Sequence, residues 1–220
     1  MMNFLKAVLA LSFLAQPALA ADSWPGDKEG RLAALAVVET LNARILAGRS
    51  ATLELEKWCA DHGLSDGAEA KIVAQSVKGA EKPISAEQRQ RLQIPADEPV
   101  RFRHVRLVCG SRILSEADNW YVPSRLTAEM NRQLDETDTP FGKVVRALEP
   151  YRQTFSAALL WQPLADGWET RPLPNGAESR LDMPDALFEH KAVLFGKDHL
   201  PFSEVDEVYQ RHLLDFPAPR

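Results

Sequence analysis

Val100-Arg-Phe-Arg-His-Val-Arg-Leu-Val-Cys109, then Gly110-Ser111, then Arg112-Ile-Leu-Ser-Glu-Ala-Asp-Asn-Trp-Tyr-Val122 is the stretch that decides the fold class. Both arms are rich in β-formers, and a Gly-Ser pair between two such runs reads as a hairpin turn. Side chains alternate along a strand, so Arg101, Arg103, Val105, Leu107 and Cys109 share one face. An arginine among Val, Leu and Cys is costly to bury unless it meets an anion. A carboxylate held by both arms of the guanidinium fork is the natural partner. In the plainer reading, Arg101 and Arg103 sit near the strand end and reach solvent, or pair with Glu98 or Glu116. Glu116 and Asp118 in the return arm invite the same two readings.

Outward from the hairpin, helices and strands are grouped rather than alternating. Toward the N-terminus, Leu32, Leu35, Val38, Leu41 and Ile45 recur at helical spacing over Lys28 to Ala47, with Gly48 at the C-cap position. Ser50 is an N-cap for a second helix that carries Leu53 and Trp58 and ends near Gly63. Residues 70–78 fit helix and strand equally well, and residues 22–27 read as a flexible lead-in. Past Pro123, Thr127 caps a short helix through Leu134. Thr139-Pro140 reads as an N-cap with proline at the first helical position, and Pro150 ends that helix. Gln153 to Trp161, Ala186 to Phe195 and Phe202 to Leu213 are further strands, and residues 163–185, rich in Pro, Gly and Asp, form a surface excursion. The grouping predicts an α+β fold built on an antiparallel sheet.

The first twenty residues read as a cleavable export signal, with Lys6, an apolar run from Ala7 to Ala15, Pro17, and small residues at Ala18 and Ala20. The run is too short to span a bilayer. The expected organisation is therefore a signal at 1–20 followed by one domain at 21–220, in the periplasm or secreted. Without the signal's one lysine, 25 basic residues stand against 31 acidic ones, a balance that argues against nucleic acid or an anionic membrane as partner. Export also makes a disulfide between Cys59 and Cys109 permissible, with two buried thiols as the alternative. Those two cysteines have no metal-like spacing. The five histidines are scattered and form no ligand pair, so no metal site is expected.

Chemistry-bearing acids lie in the last strand, in Phe202-Ser-Glu-Val-Asp-Glu-Val-Tyr209. Glu204 and Asp206 share one face, while Glu207 lies with Val205 and Tyr209. An acid on an apolar face can hold or donate a proton, whereas solvent-facing acids on an edge strand are commonplace.

Together these segments resemble the chorismate lyase family. The resemblance rests on Phe102-Arg-His-Val-Arg-Leu-Val and the return strand closing at Tyr121-Val122-Pro123. It rests also on Thr139-Pro140-Phe141-Gly142-Lys143 and on Pro201 to Tyr209, and it covers about Leu32 to Leu214. It implies an α+β fold, chorismate-lyase-like, with a six-stranded antiparallel sheet, helices on one face and a loop-covered pocket. It also tips residues 70–78 toward strand. The activity implied is loss of pyruvate from chorismate to give 4-hydroxybenzoate, with no cofactor and no metal, in a monomer. The same fold serves as a ligand-sensing domain in relatives, so a non-catalytic binder of a small aromatic carboxylate is the alternative. By the resemblance, Arg103 forks to the ring carboxylate, and Phe141 and Ala51 offer backbone contacts. Glu207 hydrogen-bonds the ring oxygen and assists departure of the enolpyruvyl group, with Glu204 as runner-up.

Overall fold

In the computed structural model, which describes residues 24–67, 69–79, 81–172 and 180–219, the hairpin forms where the alternation places it. Strand β2 (Arg101–Cys109) pairs antiparallel with β3 (Arg112–Tyr121), Arg103 opposite Asn119 and Val105 opposite Ala117. Gly110 turns the chain with a φ of 56°, and a Cβ there would lie 2.9 Å from the Ser65 carbonyl carbon, so both backbone and space demand glycine.

The hairpin supplies the second and third strands of a six-stranded antiparallel sheet. Its other members are β1 (Ile72–Ser76), β4 (Tyr151–Leu159), β5 (Ala186–Phe195) and β6 (Pro201–Gln210), in the order β1-β2-β3-β6-β5-β4. Residues 70–78 thus contain a strand, as the resemblance implied. The fold is α+β.

Four helices cover one face: α1 (Lys28–Ala47), α2 (Ala51–Asp61), α4 (Ala128–Glu136) and α5 (Phe141–Val144). α1 is capped by Asp27, whose side chain accepts from the Gly30 N–H, and it buries Ala34, Val38, Leu41 and Ile45. Leu32 and Leu35 flank that stripe instead of lying on it. Ser50 caps α2 as expected, its Oγ accepting from the Leu53 N–H. α1 and α2 pack with Val105, Leu107 and Ala117, and α4 and α5 pack with Tyr121, Ala192 and Val205. Cys59 in α2 and Cys109 at the end of β2 are joined in a disulfide, which pins that helix to the sheet.

The opposite face is covered at one corner by α3 (Ala86–Arg91), a helix the periodicity reading passed over. Its signal is the Ser85-x-x-Gln88 capping box, and both reciprocal hydrogen bonds form. Leu92, just past it, packs with Val122 and Val193.

Three local expectations are corrected. Trp24 in the lead-in is buried, its indole N–H donating to the Leu214 carbonyl, because the C-terminal segment closes over it. Pro140 is itself the N-cap of α5, and Thr139 makes no cap but accepts from the Thr137 hydroxyl. β6 stops at Gln210, and Arg211–Leu214 turn as a 3₁₀ helix. The expected export signal at 1–20 and the middle of the excursion at 163–185 lie outside the described residues.

Candidate functional site

A cavity of about 50 Å³ lies on the helix-covered face, between the sheet and the first turns of α2 and α5. Register explains which side chains reach it. The pairing aligns Arg103 with Asn119 and Val205, and Val105 with Ala117 and Glu207, so two adjacent rows of inward positions cross three strands. β4 brings Arg152, and the helices bring Thr52, Phe141 and Gly142. At Gly142 a Cβ would sit 3.0 Å from Ser50 Oγ and 3.2 Å from Thr52 Oγ1, so the glycine lets α5 close on α2.

Charge is concentrated at one end of this cavity. Arg152 and Glu207 form a buried ion pair at 2.5 Å, with side-chain exposures of 4% and 10%. The Tyr209 hydroxyl donates to the same Glu207 oxygen, Oε2, at 3.0 Å. Oε1 takes no hydrogen bond from the described residues. Burial opposes the charge on Arg152, but the Glu207 carboxylate more than offsets that, and the guanidinium is held above its ordinary pKa. Burial, and then the neighbouring Glu207 carboxylate, push the Tyr209 phenol well above its usual value, so it remains a donor. His190, paired across the strands with Glu207, is fully buried. Burial and then Arg152 lower its pKa to about 4, which keeps it neutral. Its Nε2–H donates to Asn42 Oδ1 at 2.7 Å.

Arg103 is different. It makes no ion pair or side-chain hydrogen bond with the described residues, and its Nη2 is buried without a partner. Burial lowers its pKa, and Tyr121, Asp135 and Asp138 oppose that without offsetting it. Arg152 Nη2 is likewise buried and unpartnered. Two guanidinium groups, each with an unused donor nitrogen, therefore line one cavity that contains a single carboxylate.

Three of the four sequence-derived site residues, Arg103, Phe141 and Glu207, line this cavity together. Ala51 does not; it is buried in the first turn of α2, and the next residue, Thr52, reaches the cavity instead. Glu204 is on the opposite face, where Arg91 holds it through two hydrogen bonds of 2.9 and 2.7 Å. Glu116 and Asp118 also face away from the cavity, Glu116 accepting from Arg106 and Asp118 from Lys82 and His104. No group of His, Cys, Asp and Glu suited to a metal ion occurs among the described residues.

Among known proteins, the chain is 51% identical over 197 residues to y4mC of Sinorhizobium fredii, a protein described as uncharacterized, covering 89% of this chain and 83% of that one. The chain belongs to the y4mC family. No family model matches it. Solved structures with a similar course of chain include PhnF from Mycobacterium smegmatis, at 14% identity and a TM-score of 0.43. A second is a GntR-family transcriptional regulator from Enterococcus faecalis, at 14% identity and 0.42. They cover 68% and 67% of this chain; the match spans 63% of PhnF, under two thirds of its length, and 99% of the Enterococcus chain. For this y4mC-family member the fold is read from its own strand order and register.

Arg152, Tyr209, His190 and Asn42 were missed at the sequence level. A bulge between Thr154 and Ser156 breaks the alternation of β4, so Arg152 and Ala157 share a face despite their odd spacing. Tyr209 was legible as sharing Glu207's face. Asn42 lies in a helix far along the chain and carries no pattern that marks it.

Proposed function

We propose that this protein is an exported binder of a small carboxylate on a chorismate-lyase-like fold, with Arg103 as its clamp. The observation that carries this reading is the half-buried Arg103 at the cavity, whose Nη2 is buried without a partner. Arg103 and Arg152 bring two positive charges, Glu207 one negative charge, and His190 is neutral. One positive charge is left over, and a monoanion balances it. The cavity is concave and largely apolar elsewhere, as small-molecule sites generally are. Phe141, opening α5, supplies a backbone N–H with no acceptor inside its own helix.

Calorimetric titration of the purified chain with benzoate and 4-hydroxybenzoate at pH 7 tests this. Losing a hydrogen-bonded charge contact costs about 1.5–3 kcal/mol, so Arg103→Ala is expected to weaken binding roughly 10- to 100-fold. Binding that is indifferent to Arg103→Ala refutes the proposal. Export is tested by expressing the full chain and sequencing the N-terminus of the periplasmic form, which is expected at Ala21.

Lyase chemistry is the second reading, and one observation favours it: Glu207 lines the same cavity as Arg103, and its Oε1 takes no hydrogen bond from the described residues. Incubation with chorismate, following pyruvate and 4-hydroxybenzoate, decides between the two. Turnover abolished by Glu207→Gln would establish the lyase. No turnover, with hydroxybenzoate binding intact, supports the binder.

A further inference from the structure

Arg103 belongs to two spaces. Besides the inner cavity, it lines an open groove of about 970 Å³ together with Arg101, Phe102, Ile84 and Trp120. β1 ends at Ser76, opposite Val105, so the first residues of β2 have no strand beside them there, and the groove occupies that edge. Phe102 and Trp120 bring their rings together at 5.2 Å. The Trp120 indole N–H donates to the Lys82 carbonyl at 3.0 Å and fixes the segment that bears Ile84.

Charge in the groove is mostly spent. Arg101 pairs with Asp135 at 2.5 Å, and Lys82 pairs with Asp118. Arg89 donates to the Pro95 and Glu98 carbonyls. Arg103 is thus the groove cation with no hydrogen-bond or ion-pair partner among the described residues, at the boundary of a small, mostly apolar cavity and a large aromatic-walled groove.

Size then decides where a ligand can sit. A closed apolar cavity that accepts a benzene ring measures about 150 Å³. The inner cavity, at about 50 Å³, is a third of that. It has room for a carboxylate head and not for a ring. We propose that the ligand straddles Arg103, with its carboxylate in the inner cavity and an aryl body in the outer groove against Phe102 and Ile84. This rests on the carboxylate-binding reading and adds where the body of such a ligand lies: its ring sits outside the sheet-and-helix cavity.

The test compares acetate, benzoate and 2-naphthoate by chemical-shift titration, on the wild-type chain, on Phe102→Ala, on Val100→Glu at another residue lining the groove, and on Arg103→Ala. 2-Naphthoate is expected to bind roughly 10- to 100-fold tighter than acetate, as about 60–110 Å² of newly covered apolar surface would supply. Both groove variants are expected to lower the naphthoate-to-acetate affinity ratio about tenfold, taking a ring's stacking and area contribution together. Arg103→Ala is expected to weaken all three ligands alike. If Arg103→Ala weakens binding but the ratio is near one, or is unmoved by both groove variants, the groove assignment is overturned and the carboxylate site stands. If no carboxylate binds, or Arg103→Ala changes nothing, both fall.

Discussion

Replacing Arg152 by methionine tests the electrostatics of the cavity directly. Methionine keeps the length and apolar bulk of the side chain and removes its charge. Glu207, at 10% side-chain exposure, then retains one neutral donor, the Tyr209 hydroxyl. A buried charge stripped of its partner costs about 3–5 kcal/mol, a large share of a typical domain's 5–15 kcal/mol. With a urea slope of about 2 kcal/mol/M, the unfolding midpoint is expected to fall by about 1.5–2.5 M at pH 7. The double variant Arg152→Met, Glu207→Leu removes both charges and is expected within about 1 kcal/mol of wild type, because an apolar pair has no ionic desolvation to offset. A single variant within 1 kcal/mol of wild type, or a double variant as weak as the single, would refute this account.

Four further outcomes are expected. Replacing both Cys59 and Cys109 by alanine removes a link spanning 50 residues and should cost about 4 kcal/mol on the chain-entropy account, read from urea melts. His190 has its pKa lowered to about 4 in the fold, so the unfolded chain takes up a proton first; stability should be full above about pH 6.5 and fall by about 3 kcal/mol toward pH 4. His190→Gln should flatten that part of the stability-against-pH curve, and an unchanged slope would show that another group carries it. Gly142→Ala places a Cβ against Ser50 and Thr52 and should destabilise by about 1–2 kcal/mol in thermal melts. Ser85→Ala removes the capping box of α3 and should cost about 1 kcal/mol, with faster hydrogen exchange over residues 86–92.

The hairpin was legible because its signal is local: two alternating runs and a Gly-Ser turn. The Gly48 C-cap of α1 and the Ser50 N-cap of α2 were legible for the same reason, whereas the Asp27 N-cap of α1 was not read from the lead-in. Strand β1 was not, since five residues of mixed character fit either period until pairing with Val105 to Cys109 chooses one. Arg103 and Glu207 could each be suspected from the apolar residues sharing their faces, with Glu204 left standing as runner-up to Glu207. Arg91, the last residue of α3 on the other side of the sheet, settles that competition by binding Glu204. Arg152 was hidden by the bulge in β4, and Trp24 by a contact with a residue 190 positions away.

By itself the sequence determined the α+β class, the alternation that puts Arg103 among apolar neighbours, and the candidates for a site acid. These follow from short-range sterics and periodicity, which act within a few residues. Only the tertiary structure decided that Cys59 joins Cys109, that Glu207 and not Glu204 shares the cavity with Arg103, and that Arg152 is already spent on Glu207. Those outcomes depend on register between strands distant in the chain. A shift of one residue there would turn every side chain to the other face, and burial of the apolar rows excludes it.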